Sequence, residues 1–284
     1  MKARTMTFAC RFPTLLAFAA LVLLSILPAM ASETLEEISF DGETITISQT
    51  DEGQRAILLG DRELGRNWFA GFDRIAEVYG QPVALFYLGD GGNACVPSTL
   101  IVWRSEDGLV HSLDHNEGCG TPAPSVSDNG IVFVPYLLPG ESAPVKRWTP
   151  PGGIEMAGTL HYAPQPGTGW EEIAAAAATH PLDLFKNEAV YTAALDLVGA
   201  NEIADYARGL GTASEPQMRG GLLMGSGCVP HNCGGADSLI IADPAARSLY
   251  LAQQRDGGIR QWPEASDWPA NVMALFKEFA AGRQ

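Results

Sequence analysis

Chemistry concentrates in one run of the chain, Gly225-Ser226-Gly227-Cys228-Val229-Pro230-His231-Asn232-Cys233-Gly234-Gly235. Two thiols stand in a Cys-x4-Cys spacing with an imidazole between them. A disulfide from Cys228 to Cys233 would close a ring of six residues, which restricts the unfolded loop by ~2 kcal/mol in the chain-entropy picture. A thiolate pair with His231 would instead supply only three of the four ligands a structural zinc site needs. A redox or nucleophilic thiol is the third chemistry. Redox pairs favour two intervening residues, and a nucleophile wants a base and an oxyanion hole that nothing nearby supplies. A binding role is the fourth. Pro230 fixes its own φ and restricts Val229, so a closed ring would be a stiff knuckle with His231 near its apex and the flanking glycines as hinges. Such a projection suits insertion into a concave partner, because little ordering entropy remains to be lost.

A second polar group, His111, Asp114 and His115, lies between Cys95 and Cys119. These residues are too few and too close in sequence to fix a tetrahedral metal site, and they read as a polar hairpin end. No metal site, no cofactor motif and no complete nucleophile or carboxylate set is legible. The chain therefore reads as a non-enzyme.

These groups need elements to position them. Lys2, Arg4 and Arg11 precede an apolar run from Leu15 to Leu27 that ends at Ala29-Met30-Ala31. That order predicts a signal peptide over residues 1–31. The run falls short of the ~20 residues that span a bilayer, so no membrane span is expected after cleavage. The address is periplasmic or secreted. Cys10 leaves with the leader, and the remaining Cys95, Cys119, Cys228 and Cys233 read as two disulfides in an oxidising compartment. Three connectivities are open, and proximity favours Cys95–Cys119 and Cys228–Cys233. The net charge of −15 becomes more negative without the leader. It excludes nucleic acid, whose phosphates call for a Lys/Arg excess. With 46% apolar residues among 284, the chain has material for one large domain or two ordinary ones.

Residues 32–165 read as a mainly-β domain. Thr44–Ile47, Val83–Tyr87, Ile131–Val134, Val145–Trp148 and Ile154–His161 are short apolar or β-branched runs. Thr99–Trp103 and Leu109–Leu113 flank a Ser105-Glu106-Asp107-Gly108 turn. One helix is expected over Trp68–Val78. The segment Ala163-Pro164-Gln165-Pro166-Gly167-Thr168-Gly169 marks a boundary. Residues 166–284 then read as α+β. Helices are expected over Glu171–Ala178, Leu182–Val198 and Glu202–Leu210, and strands at Leu222–Met224, Leu239–Ala242 and Leu249–Ala252. A terminal helix follows Asp267, with Pro269 in its first turn and Val272, Leu275, Phe276 and Phe279 on its core face.

The loop Met224–Gly234, the strand Ser238–Asp243 and its hairpin to Leu249–Ala252 resemble the Ivy family, bacterial inhibitors of vertebrate (c-type) lysozyme. Members carry a Cys-x-Pro-His-Asp/Asn-Cys loop between two strands, and the resemblance covers about residues 180–284. It implies an antiparallel sheet with helices on one face, and a Cys228–Cys233 disulfide. It also implies that His231 enters the lysozyme cleft and contacts the catalytic Glu/Asp pair, with Pro230, Val229 and Asn232 around it at the interface. Val229 stands where family members often carry Lys or Gln, Asn232 where Asp is common, and a whole domain precedes the similar region. The expectation is an exported two-domain inhibitor with c-type lysozyme as partner. Its rival is an Ivy-like binding or envelope-associated module with another target.

Overall fold

The computed structural model describes residues 33–92, 95–173, 178–255 and 257–281. The expected leader lies outside the described residues, as does part of the Ala-rich segment after Glu171. Two parts follow one another, a β-rich N-terminal part and an α+β C-terminal part.

The N-terminal part is three four-stranded antiparallel meanders in chain order. The first contains β1 (Glu33–Phe40), β2 (Glu43–Gln49), β3 (Arg55–Leu59) and β4 (Arg62–Asn67). The second contains β5 (Phe69–Val78), β6 (Gln81–Gly89), β7 (Ser98–Arg104) and β8 (Val110–His115). The third contains β9 (Pro124–Ser127), β10 (Gly130–Phe133), β11 (Ser142–Thr149) and β12 (Gly153–His161).

The second sheet lies between the other two, which explains its unbroken apolar runs. Side chains of a strand alternate between faces, so a sheet covered on both sides needs apolar residues at every position. On β6, Ala84, Phe86 and Leu88 pack with Ile38, Phe40, Ile45, Ile47 and Ile57 of the first sheet. Their neighbours Val83 and Leu85 pack with Ile131, Phe133 and Trp148 of the third. Strand β7 divides likewise, with Leu100 and Val102 in one core and Ile101 in the other.

The helix expected over Trp68–Val78 is strand β5. Its residues pair with β6 from Phe69↔Gly89 to Val78↔Gln81, with a bulge between Phe72 and Arg74. The extra residue there shifts the side-chain alternation by one, which leaves Phe69, Phe72, Ile75 and Ala76 at a spacing that mimics a helix face.

The C-terminal part is a six-stranded antiparallel sheet. Its strands are β13 (Thr212–Ala213), β14 (Gln217–Arg219), β15 (Leu222–Cys228), β16 (Asp237–Asp243), β17 (Ser248–Arg255) and β18 (Gly258–Trp262). Its α-helices are α1 (Trp170–Ile173), α2 (Glu188–Val198), α3 (Ile203–Arg208) and α4 (Ala270–Ala280). The helix expected over Leu182–Val198 divides at Asn187. A 3-10 turn, Pro181–Lys186, precedes α2, and the Asn187 side chain caps α2 by accepting from Val190 N.

Helices cover both faces of this sheet, where the family resemblance implied one. Ile240, Ala242, Leu249 and Leu251 pack against Phe185, Val190, Ala194, Ile203 and Tyr206 on the α2–α3 side. Leu239, Ile241, Tyr250 and Ala252 pack against Trp268, Val272, Leu275 and Phe279 on the α4 side. Strand β16 is therefore buried from Asp237 through Ala242.

Candidate functional site

Strands β15 and β16 pair from Leu223↔Ala242 to Cys228↔Asp237, and the loop between them carries His231. Val229 N donates to Ala236 O at 2.9 Å, and Asn232 N donates to Val229 O at 2.9 Å. The second bond closes a four-residue turn over Val229-Pro230-His231-Asn232. Proline stands at its second position and a positive φ at its third, since His231 has φ 65°. That is the signature of a type II turn, whose third position favours glycine. A second tight turn follows. Ala236 N bonds Asn232 O at 3.1 Å, and Gly234 N bonds Asp237 Oδ1 at 2.7 Å. The structure pairs Cys228 with Cys233, their Cα atoms 4.9 Å apart. Cys228 is buried, Val229 is half-buried, and Pro230, His231, Asn232 and Cys233 are exposed. The knuckle thus roots in the sheet through one cysteine and presents the other to solvent beside the imidazole.

The glycines before the knuckle are places of close approach, not the hinges their composition suggests. A Cβ on Gly227 would lie 2.8 Å from Thr212 O and 2.9 Å from Leu210 Cα. One on Gly225 would lie 2.8 Å from Pro181 Cγ. Both positions are inside β15. Their missing side chains let β13 and the 3-10 turn lie directly on the strand.

The support beneath the loop comes from residues the sequence does not single out. Tyr206, fully buried in α3, donates its hydroxyl to Leu239 O at 2.6 Å; burial pushes that phenol well above its ordinary range. Ser238 Oγ donates to Tyr206 O at 3.0 Å, and Ser238 N donates to Gly209 O at 3.0 Å. Gly211 N donates to Arg208 O at 3.1 Å. Pro230 lies so close above Gly211 that a Cβ there would be 3.2 Å from Pro230 Cδ. The Gly209-x-Gly211 pair is the one sequence signal for this close packing.

In the N-terminal part the structure pairs Cys95 with Cys119 across a separation of 24 residues, bracketing the β7–β8 hairpin. His111 does not join Asp114 and His115 in a cluster. Its Nε2 lies 2.8 Å from Ser105 Oγ, and its ring stacks on Trp103 with centroids 5.3 Å apart. His115 is buried against Phe133. Its Nε2 is 3.3 Å from Glu117 Oε1 without hydrogen-bond geometry, while Lys146 Nζ reaches the same oxygen at 2.6 Å. Burial lowers the His115 pKa, against the raising influence of Glu117. Among the described residues no group of three or more His, Cys, Asp or Glu is placed to hold a metal ion. No described helix is long and apolar enough to cross a membrane.

A helix-flanked antiparallel sheet with a disulfide-closed, histidine-tipped hairpin, preceded by stacked β-meanders, defines a two-domain α+β protein. Its C-terminal half carries an Ivy domain, since residues 189–282 match the family described as Inhibitor of vertebrate lysozyme (Ivy). Residues 41–161 match the Y4bG N-terminal domain. The chain is 28% identical over 233 residues to the uncharacterized protein y4bG of Sinorhizobium fredii (strain NBRC 101917 / NGR234). That similarity covers 80% of this chain and 85% of the relative. The whole knuckle lies inside the Ivy match, and the Cys95–Cys119 staple lies inside the other.

Proposed function

We propose that this protein is an exported, non-enzymatic inhibitor of a c-type lysozyme that inserts the Cys228–Cys233 knuckle, led by His231, into the lysozyme active-site cleft. We take residues 1–31 as the signal peptide, 32–165 as the β domain and 166–284 as the inhibitory domain, acting in the periplasm or outside the cell. Two disulfides suit an oxidising compartment.

The observation that carries the reading is the backbone of His231. An L-residue in the left-handed region costs roughly 1–2 kcal/mol, and glycine would fit this turn position without strain. Yet the position holds a large polar side chain, exposed at the tip of a ring that has little freedom left. Strain at an exposed, disulfide-fixed tip is the pattern of a side chain kept for what it touches in a partner. A retaining glycosidase flanks its sugar with one protonated and one ionised carboxyl. A neutral imidazole offers one acceptor and one N–H donor, so wedged between the two it bonds both and excludes sugar without reacting. Pro230, Val229 and Asn232 flank it as contact residues. The acidic chain is also attracted to a basic enzyme, although most of its surplus charge lies on the other domain.

The test is a titration of c-type lysozyme with the mature protein, run beside His231→Ala and followed by bacterial cell-wall lysis. Inhibition by the wild type and its loss in the variant is the expected pair of results. Equal inhibition by both overturns the inserted-histidine mechanism. No inhibition by either leaves the knuckle to another target.

A further inference from the structure

The N-terminal domain touches the C-terminal domain at α3, whose end leads into the strand that pairs with Cys228. The connection between β10 and β11 leaves its own sheet and reaches α3. Glu141 Oε1 accepts from Arg208 Nη2 at 3.1 Å. Gly140, with φ 83°, lies against the fully buried Ile203, and a Cβ on it would be 2.3 Å from Ile203 Cγ2. The arm is held in turn by Glu141 N to Leu138 O at 3.0 Å, Leu138 N to Glu141 Oε2 at 2.9 Å and Tyr162 N to Glu141 O at 2.9 Å. Tyr162 itself packs into the C-terminal core beside Tyr191, their centroids 5.1 Å apart.

From α3 the contacts run on without a gap. The residue whose guanidinium Glu141 holds, Arg208, gives its carbonyl to Gly211 N. Gly211 supports Pro230. The next residue, Thr212, pairs with Cys228. On the sheet side, α3 is tied to β17 by the Asp205–Arg255 ion pair and by Gln253 Nε2 donating to Asp205 O at 3.1 Å. The helix is thus held from its own sheet on one side and from the other domain on the other. A helix of six residues is too short to hold its place alone.

We infer that the β10–β11 arm of the N-terminal domain is a positioning element for the knuckle, with Gly140 and Glu141 fixing α3 so that Pro230 and His231 are held in one pose. This gives the N-terminal domain a task in the inhibitor reading above, and its first readout does not depend on that reading. The pairing of the two domains recurs over most of the length of the Sinorhizobium relative.

The experiment is amide hydrogen exchange on the full mature chain, comparing wild type with Glu141→Gln, Arg208→Gln and Gly140→Val. Exchange at Val229, Asn232, Gly235 and Ala236 is expected to quicken by up to about fivefold in Glu141→Gln, the range of one exposed ion pair, and by at least as much in Arg208→Gln, which also loses the Asp205 pair within α3. It should quicken further in Gly140→Val, whose side chain must displace Ile203. The amides of β17 and the thermal midpoint should stay within error in the Gln variants, which separates loss of pose from general loosening. Unchanged knuckle exchange in both Gln variants overturns the inference, whether or not Gly140→Val folds; so does faster exchange spread evenly over the sheet. The lysozyme titration of the same proteins is read separately. Faster knuckle exchange with a wild type that never inhibits keeps the brace and rejects the inhibitor. An inhibiting wild type with unmoved exchange does the reverse.

Discussion

Replacing His231 by glycine separates what the side chain does for the fold from what it does for a partner. The residue holds φ 65° at the third position of a type II turn. Relief of that strain is worth roughly 1–2 kcal/mol. Glycine also frees the unfolded chain, which takes back about 0.5–1 kcal/mol. The exposed imidazole has no hydrogen bond among those described, so little else is lost. The net expectation runs from no change to about 1.5 kcal/mol of added stability, a rise of up to about 6 °C in the thermal midpoint for a chain of this size. His231→Ala keeps the strained backbone and should melt at or slightly below the wild-type midpoint. Both variants should lose lysozyme inhibition by at least about 30-fold, the loss expected when a central interface residue worth ~2 kcal/mol is removed. The assays are a circular-dichroism melt and an inhibition titration against cell-wall lysis. A glycine variant that melts several degrees lower would show that the imidazole serves the fold. One that inhibits at full strength would show that the tip is not what lysozyme feels.

Other expectations follow from the same geometry. Replacing Cys228 and Cys233 together by serine should cost ~2 kcal/mol and weaken inhibition more than stability, measured by denaturant melts and the same titration. Removing the Cys95–Cys119 staple should cost about 3.5 kcal/mol yet leave the knuckle's inhibition intact once the protein is folded. Gly227→Val drives a side chain into Thr212 O and Leu210 Cα, so a loss of about 1–3 kcal/mol is expected. His115, with its pKa lowered by burial, takes up a proton more readily in the unfolded chain. Its contribution is complete above about pH 6.5 and is lost as pH falls below that value, at no more than about 1.4 kcal/mol per pH unit. His115→Gln should flatten that stretch of the stability curve.

The sequence was most legible where one rule acted alone. The C-terminal helix read correctly because Val272, Leu275, Phe276 and Phe279 form one stripe beside a proline start. The β7–β8 hairpin read correctly because its turn residues stand between the β-branched run Thr99–Trp103 and a second apolar segment at Leu109–Leu113. Strand β5 misled because its bulge breaks the two-residue alternation at Phe72 and Arg74. Strands β3, β4 and β18 passed unnoticed, being short or rich in Arg, Gln and Glu, with pairing rather than composition to define them. At the knuckle, residue types pointed to the ring and its histidine. What lies beneath it could not be read, because Ser238 meets Tyr206 across 32 residues and Glu141 reaches Arg208 across 67.

The middle meander of the N-terminal part has a consequence for how the protein comes into being. A layer greasy on both sides has no wet surface to show while it waits, so it must be sandwiched almost as soon as it forms. The first meander emerges earlier and stands ready as a lid for one side, but the other side stays bare until Ile131, Phe133 and Trp148 arrive. A chain that emerges N-terminus first therefore passes through a stage with one oily wall uncovered, and any truncation that ends before β10 would be stranded there and clump.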